Sequence, residues 1–387
     1  MVIFSALITS IFIVWGLIRK NSKIAAFGLA ILLYILFAFE KSTGDYEGYI
    51  QMYKEIGSGA GRALTYEVLY VLLCRIANSF HMTFDVMRGI ICVVELFFIY
   101  ITIKKYTPNI AMVLALFFIF PATLDAELFR WLLAMCIIIF GIQFILKGRG
   151  LKDYLIYTAS VIIASLIHTS CWIFLIYLLL IIKDRKKLFR IVTVIFVVGM
   201  AFAGTGLFFS LLGHLPIRTF VIEKYQTGNY ANWHGMLFAI VKQLIIFLMA
   251  VVATGRLTFS HGKICICRID SEMKQTLSSE KIDTVKIRQL LDERILDLNL
   301  VSFLILIPMS YSSSVQRLFH VVVFFNYIAL ANRCAIEKNN IKHTIYSAIT
   351  ATLLLLSLLF VESNGAVYAF TSHFTDGYFT NLFSQLF

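Results

Sequence analysis

The chain reads as an all-α, polytopic bundle of membrane-spanning helices, about twelve in number with some short or re-entrant. Three observations carry this reading: composition, division into apolar runs, and alternation of charge between the connections. Of 387 residues, 60% are hydrophobic and only 14% charged, whereas soluble domains sit nearer half apolar and a quarter charged. The 35 Phe and 18 Tyr suit lipid contact and interfacial belts. A net charge of +12 would point to nucleic acid in a soluble protein. Here the excess lies in short connections and sets topology, so no nucleic-acid partner is expected.

A spanning helix needs about 20 apolar residues, with roughly 17 a practical minimum. Runs of this kind occupy 2–18, 24–39, 84–103, 110–124, 128–146, 154–167, 170–182, 189–209, 235–254, 298–311, 315–332 and 343–361. The first lacks a basic leader and a small-residue cleavage site, so it reads as a retained helix. Arg19, Lys20 and Lys23 follow the first run, Lys104 and Lys105 the third, and Lys147, Arg149 and Lys152 the fifth. Lys183, Arg185, Lys186, Lys187 and Arg190 form the densest basic cluster. By the positive-inside rule these loops are cytoplasmic. Parity then lets only one of the runs 66–80 and 84–103 cross. The first contains Glu67, Arg75, Asn78 and Ser79, which predicts a half-buried or re-entrant helix on the outer side.

The stretch 154–182 lies between two basic loops and must cross an even number of times. A hairpin turning at Ile167-His168-Thr169-Ser170 meets that condition, each arm only about 20 Å long as α-helix. A single long tilted helix is the alternative, and it would invert everything downstream. Residues 210–234 are expected outside and 255–297 form the longest cytoplasmic segment. The aromatic tail 362–387 is expected on the outer surface as an interfacial helix. The whole chain, 1–387, reads as one integral membrane domain. Seven scattered Cys, including a lone Cys265-x-Cys267, lack zinc spacing, and no metal or cofactor is expected.

The outer connections collect the groups with chemistry in them. In Asp45-Tyr46-Glu47-Gly48-Tyr49-Ile50-Gln51-Met52-Tyr53, tyrosines at 46, 49 and 53 share one helical face beside adjacent acids. Such a face could line a sugar site or form an interfacial belt with solvated acids. Arg130 leads an apolar run and would cost several kcal/mol if desolvated alone. Asp125 and Glu127 precede it closely enough to compensate, as would a bound anion matching the guanidinium fork. Snorkelling to the interface is the bland alternative. His168 lies at the proposed outer turn, and Arg317 repeats the Arg130 arrangement at another helix end. Two arginines and a histidine on one side could hold a diphosphate, with Arg218 and Lys224 adding charge. Deeper lie Glu95, Lys242 and Arg75; intramembrane charges are functional by default, but Glu95 pairing with Lys242 or Arg75 would be structural. The sequence carries no P-loop, dinucleotide-binding glycine pattern, HExxH or GxSxG.

An ordered set of short motifs is similar to a known family. Asp45-Tyr46 with Tyr49 and Tyr53, Tyr66-Glu67 with Leu69-Tyr70, Phe129-Arg130 with Ala134, His168-x-Ser170, and Arg317 with Tyr327 occur in this order. The set resembles the EpsG family of bacterial exopolysaccharide proteins, a branch of the Wzy-type O-antigen and capsule polymerases, over about residues 1 to 335. Where that family has Ile-Arg-Gln, this chain has Phe129-Arg130-Trp131, so the amide is missing. The resemblance implies a GT-C-like polymerase in the bacterial cytoplasmic membrane, with its active site on the outer leaflet. Its substrates would be undecaprenyl-diphosphate-linked repeat units, with a flippase and a chain-length regulator as accessory partners.

The expected mechanism assigns the diphosphate to Arg130, Arg317 and His168, with Glu127, Ser170 and Arg218 as further binding residues. Asp45 or Glu67 takes the proton of the attacking hydroxyl, and Tyr46, Tyr49 and Tyr53 stack on sugar rings. The arginines can neutralise the leaving group, so the reaction requires no metal. A flippase of the same lipid-linked sugars, or an O-acetyltransferase or ligase of the same topology, are the alternatives.

Overall fold

Inside a bilayer each backbone N–H and C=O must find its partner within its own segment, which leaves the helix as the answer for an open apolar chain. In the computed structural model the described residues are 2–39, 41, 44–59, 66–148, 150–203, 233–254, 257–260, 263–266, 291, 293–309, 313–336 and 341–361. They are helical apart from one antiparallel hairpin, Leu257–Ser260 with Lys263–Ile266, and the connecting turns. Arg218, most of the 255–297 segment and the 362–387 tail lie outside the described residues.

Most of the helices follow the apolar runs, while two lie between the second and third runs. The helices are α1 Val2–Ile18, α2 Lys23–Phe39, α3 Gly44–Gly57, α4 Val68–Ser79, α5 Phe84–Tyr106, α6 Ile110–Phe117, α7 Thr123–Asp125, α8 Phe129–Lys147, α9 Leu151–Ser165 and α10 Arg185–Ala203. Helices Trp233–Ala253, His320–Ile336 and Ile341–Val361 come later in the chain. Among the described residues three stretches are long and apolar enough to cross a membrane: Phe84–Tyr106, Phe129–Lys147 and Met236–Ala253. Shorter apolar helices include Lys23–Phe39, Val68–Ser79 and Thr169–Ile181.

Two of the departures from the expected helices bear on the site. The run 110–124 is broken: α6 gives way to a π turn at Phe118–Ala122, in which Phe120 leaves helical geometry (φ −158°, ψ 131°) just before Pro121. Proline supplies no N–H and crowds the preceding turn. The run 170–182 forms a 3-10 helix, Thr169–Ile181, instead of an α-helix. At about 2.0 Å per residue, its 13 residues reach about 26 Å. The tighter winding supplies most of the length that the arm was expected to lack.

The faces of α5 are reversed relative to a soluble helix. Val86, Ile90, Val93 and Phe97 are at least half exposed, while Arg88, Glu95 and Thr102 are buried. Water would favour the opposite arrangement; a hydrocarbon solvent favours this one. The protein is a helical membrane protein.

The chain divides into two compact units. The first comprises Met1–Gln143, Ile156–Trp172 and Cys334–Phe387. Close approach of its helices is set by small residues: a Cβ on Gly16 of α1 would stand 2.8 Å from the Ala111 carbonyl oxygen. One on Gly141 of α8 would stand 2.7 Å from Ser160 Cβ of α9, contacts that only a missing side chain permits.

This unit has two chemically different ends. At one, the Lys20 carbonyl accepts from Met112 N at 3.3 Å, and Lys105 Nζ donates to Gln143 Oε1. Arg19, Lys20, Lys23, Lys104 and Lys105 gather there. At the other, Arg88 Nη2 donates to the Ala126 carbonyl at 3.0 Å, and Phe84 meets Phe129 with ring centres 5.7 Å apart. Helices α5 and α8 therefore run parallel, and about 34 Å of α5 separates the two ends.

The second unit comprises Phe144–Leu155 and Ile173–Arg333. Its interior carries a ladder of buried amides. Gln243 Nε2 donates to Ser302 Oγ at 2.5 Å, Asn299 and Asn326 exchange bonds of 2.7 and 3.0 Å, and Asn326 Nδ2 also reaches the Ile246 carbonyl. Asp297, only 3% exposed, is clamped by Arg185 Nε at 2.8 Å and Arg294 Nη1 at 3.2 Å. Asp184 caps the adjoining α10 through the backbone N–H groups of Lys186 and Lys187. Those bonds hold its carboxyl below the usual carboxylate range.

Candidate functional site

At the end of the first unit opposite the Lys104–Lys105 cluster, three chain segments finish together. The start of α4 and the end of α9 are tied by Leu69 N donating to the Leu166 carbonyl at 2.9 Å, and α8 begins beside them. Arg130, in the first turn of α8, is in a poor place for a cation, because the helix N-terminus is itself electropositive. It needs an anion, and Glu67 at the N-cap of α4 provides one through an Nη2–Oε2 ion pair. The side chains are 11% and 18% exposed, so the pair is half-sheltered and reachable.

The two partners are satisfied unequally. Glu67 Oε1 accepts from Thr169 N at 3.3 Å and from Thr169 Oγ1 at 2.9 Å, so both carboxylate oxygens are engaged. Arg130 also gives Nη2 to the Ile167 carbonyl at 3.3 Å and stacks its guanidinium over the Tyr70 ring at 4.8 Å. Its Nη1, however, faces only the thioether of Met52 at 3.8 Å, and its buried Nε makes no hydrogen bond. Beside it, His168 Nδ1 bonds Ser170 Oγ at 2.7 Å, and Trp131 meets the imidazole edge-on at 5.8 Å. Trp131, where the resembled family has Gln, thus supports the histidine.

Glu67, Arg130, His168 and Ser170 of the expected set therefore come together. Tyr46, Tyr49 and Tyr53 do share one face of α3, but that face packs on Phe84, with ring centres 5.9 to 6.4 Å away. Tyr53 donates its hydroxyl to the Met82 carbonyl at 2.6 Å and Tyr46 to Asp85 at 2.7 Å. Burial first, then the bond to Asp85, pushes the Tyr46 hydroxyl well above its ordinary range. Asp45 is exposed on α3 and Glu127 half-buried in the turn before α8. Arg317 lies half-buried in the 3-10 turn Ser313–Phe319 of the second unit.

The deeper charges do not pair as expected. Lys242 donates to Gln316 Oε1 at 2.8 Å, and Arg75 is exposed on α4. Glu95 shares the buried face of α5 with Arg88 and Cys92. Lys41, Asp85 and Arg88 escaped the sequence reading, although Lys41 pairs with Asp85 at 2.8 Å and Arg88 lies over the Tyr46 ring. Thr83 capping α5, followed by an acid in the first turn and an Arg one turn on, was the available signal. Thr169 was also missed, since a lone hydroxyl carries no pattern.

Among the described residues no group of three or more His, Cys, Asp or Glu could hold a metal ion. What the site offers is a guanidinium with spare donors, an imidazole and a carboxylate, grouped at helix ends. Compared with known families, the chain matches the EpsG family over residues 23–372. No curated protein and no solved structure matches it. That match takes in nearly all of both units and every residue of the Arg130 site, and the chain belongs to the EpsG family.

Proposed function

We propose that this protein is a metal-independent membrane glycosyltransferase of the Wzy type, which polymerises a bacterial polysaccharide from lipid-linked repeat units. It transfers glycan from an undecaprenyl-diphosphate-linked donor to a lipid-linked acceptor on the outer leaflet of the cytoplasmic membrane. One integral membrane domain with about twelve crossings and a GT-C-like architecture would carry the site. The observation that supports the reading most is the half-sheltered Arg130, with His168 next to it and donors to spare. A diphosphate leaving group needs charge neutralised as it departs, and fixed guanidinium and imidazole donors do this in a dry site. They make a metal ion unnecessary.

Arg130 binds and stabilises the diphosphate, assisted by His168 and Ser170. Arg317 and Arg218 are kept as further residues for the anion on their sequence setting, and Glu127 as a neighbour of Arg130. Glu67 has the stronger case over Asp45 as proton acceptor, because it lies against Arg130 while Asp45 is exposed on α3. Of Tyr46, Tyr49 and Tyr53, the half-exposed Tyr49 would present the acceptor sugar with an aromatic surface, while Tyr46 and Tyr53 are buried against Phe84 and back it. The lysines and arginines at the opposite end of the first unit support an extracytoplasmic site. A flippase and a chain-length regulator would work beside it.

The test is polymerisation of a defined lipid-linked repeat unit by purified protein, with Arg130, His168 and Arg317 replaced singly. Loss of polymer in the Arg130→Ala protein, made at normal levels, is the expected result. Unchanged polymer length and yield would remove the assignment. Transport of the lipid-linked unit across vesicles without any polymer would replace it with a flippase.

A further inference from the structure

We infer that Glu67 is a displaceable counter-ion that guards Arg130 and becomes the proton acceptor only when a diphosphate takes its place. The inference rests on the proposed reaction and adds to it an order of events. Its basis is the unequal satisfaction of the pair. Both Glu67 oxygens are occupied, one by Arg130 and one by Thr169. Arg130 keeps Nε without a hydrogen bond and Nη1 against a thioether, so a single carboxylate leaves its fork half-used. A ligand with more anionic oxygens can take Nη2 together with the spare donors. Charge-assisted bonds of this kind are the strong ones, and in a sheltered site the ligand's larger charge weighs more.

Thr169 decides what happens to the displaced acid. Its N–H and hydroxyl both hold Oε1, so losing Arg130 frees Oε2 without releasing the side chain. The acceptor oxygen then bonds to the anomeric carbon as the bond from that carbon to the diphosphate oxygen breaks. The electron pair of the broken bond leaves with polyprenyl diphosphate, and the acceptor's proton passes to Glu67 Oε2. Before the donor arrives, that oxygen is tied to Arg130 and cannot accept a proton. Acceptor activation is thereby made conditional on a loaded donor, and Thr169 is the positioning residue for it.

The test is equilibrium binding of undecaprenyl diphosphate to the purified full chain, because masking and mere orientation of Arg130 predict opposite signs. If Glu67 competes with the ligand, Glu67→Gln binds about tenfold more tightly than wild type, while polymer turnover drops about a hundredfold. Thr169→Val loosens the same carboxylate and binds a few-fold more tightly. Added ligand also raises the unfolding temperature of Glu67→Gln more than that of wild type, since it replaces the lost counter-charge. Equal or weaker binding in both variants overturns the inference. Arg130→Ala separates the two readings. If it abolishes binding while Glu67→Gln and Thr169→Val fail to tighten it, the diphosphate site stands without the guard; if its binding is unchanged, the site assignment fails as well.

Discussion

The polar groups of the two units obey different rules. In the second, Gln243, Asn299, Ser302 and Asn326 are completely buried, neutral, and bonded to one another across helices. In the first, Glu67, Arg130 and His168 sit at helix ends, are charged or titratable, and are only partly sheltered, with the neutral Ser170 bonded to the imidazole. Buried amides that pair among themselves act as glue between membrane helices. A guanidinium with spare donors beside an over-committed carboxylate is poised for something else. A polar residue in a membrane helix is therefore not in itself the mark of a site; how its hydrogen-bonding capacity is used is more informative.

Removing Arg130 should test that distinction hardest. Arg130→Ala is expected to lower polymer formation by about a hundredfold or more, the scale for losing one preorganised donor to developing charge. Arg130→Lys keeps the charge but loses the fork, so it should recover only part of the activity. The comparison breaks if Asn326→Ala, in protein still folded, reduces polymer formation as severely.

His168→Ala comes next. A bond to a charged ligand contributes about 1.5–3 kcal/mol, so turnover should fall by about ten- to a hundredfold. Ser170→Ala, which removes the partner of Nδ1, should cost less and leave the donor's binding almost intact. Asn326→Ala is expected to lower stability by about 1 kcal/mol, near the range measured for interhelical hydrogen bonds in membranes. Affinity for undecaprenyl diphosphate should not change. Thermal unfolding in detergent measures the first, and equilibrium binding the second.

The sequence carried the helices and half the site for a clear reason. Apolar runs have lengths and basic flanks, and both survive folding unchanged. The start of α8 was legible because Arg130 interrupts an apolar stretch, and His168 because it does the same. The 3-10 form of Thr169–Ile181 was not legible, since α and 3-10 helices draw on the same apolar residues. Pro121 could have announced the break after α6. The partner of Arg130 was the deeper difficulty. Asp125 and Glu127 are near it in sequence, yet Glu67 closes the pair from 63 positions away. Sequence proximity is a poor guide where three helix ends meet.

The smallest effect concerns the tyrosines of α3, where one aromatic face has two possible uses. Their common face was readable from their spacing; what it faces was not. Phe84 and Phe129 already occupy much of it, and the Tyr53 hydroxyl is committed to the Met82 carbonyl. Tyr53→Phe removes one hydrogen bond and keeps the ring, so stability should drop by about 1 kcal/mol with the acceptor's KM unchanged. Tyr49, stacked on Phe84 with rings 13° apart and half-exposed, is the position where a sugar could still reach an aromatic surface. A several-fold rise in acceptor KM for Tyr49→Ala, with none for Tyr53→Phe, would extend the site from Arg130 onto α3. A rise for both would mean that the packing against Phe84 opens when the acceptor arrives. No rise for either would leave α3 as a wall that holds Phe84 and the start of α8 in register, and would confine the chemistry to the junction of α4, α8 and α9.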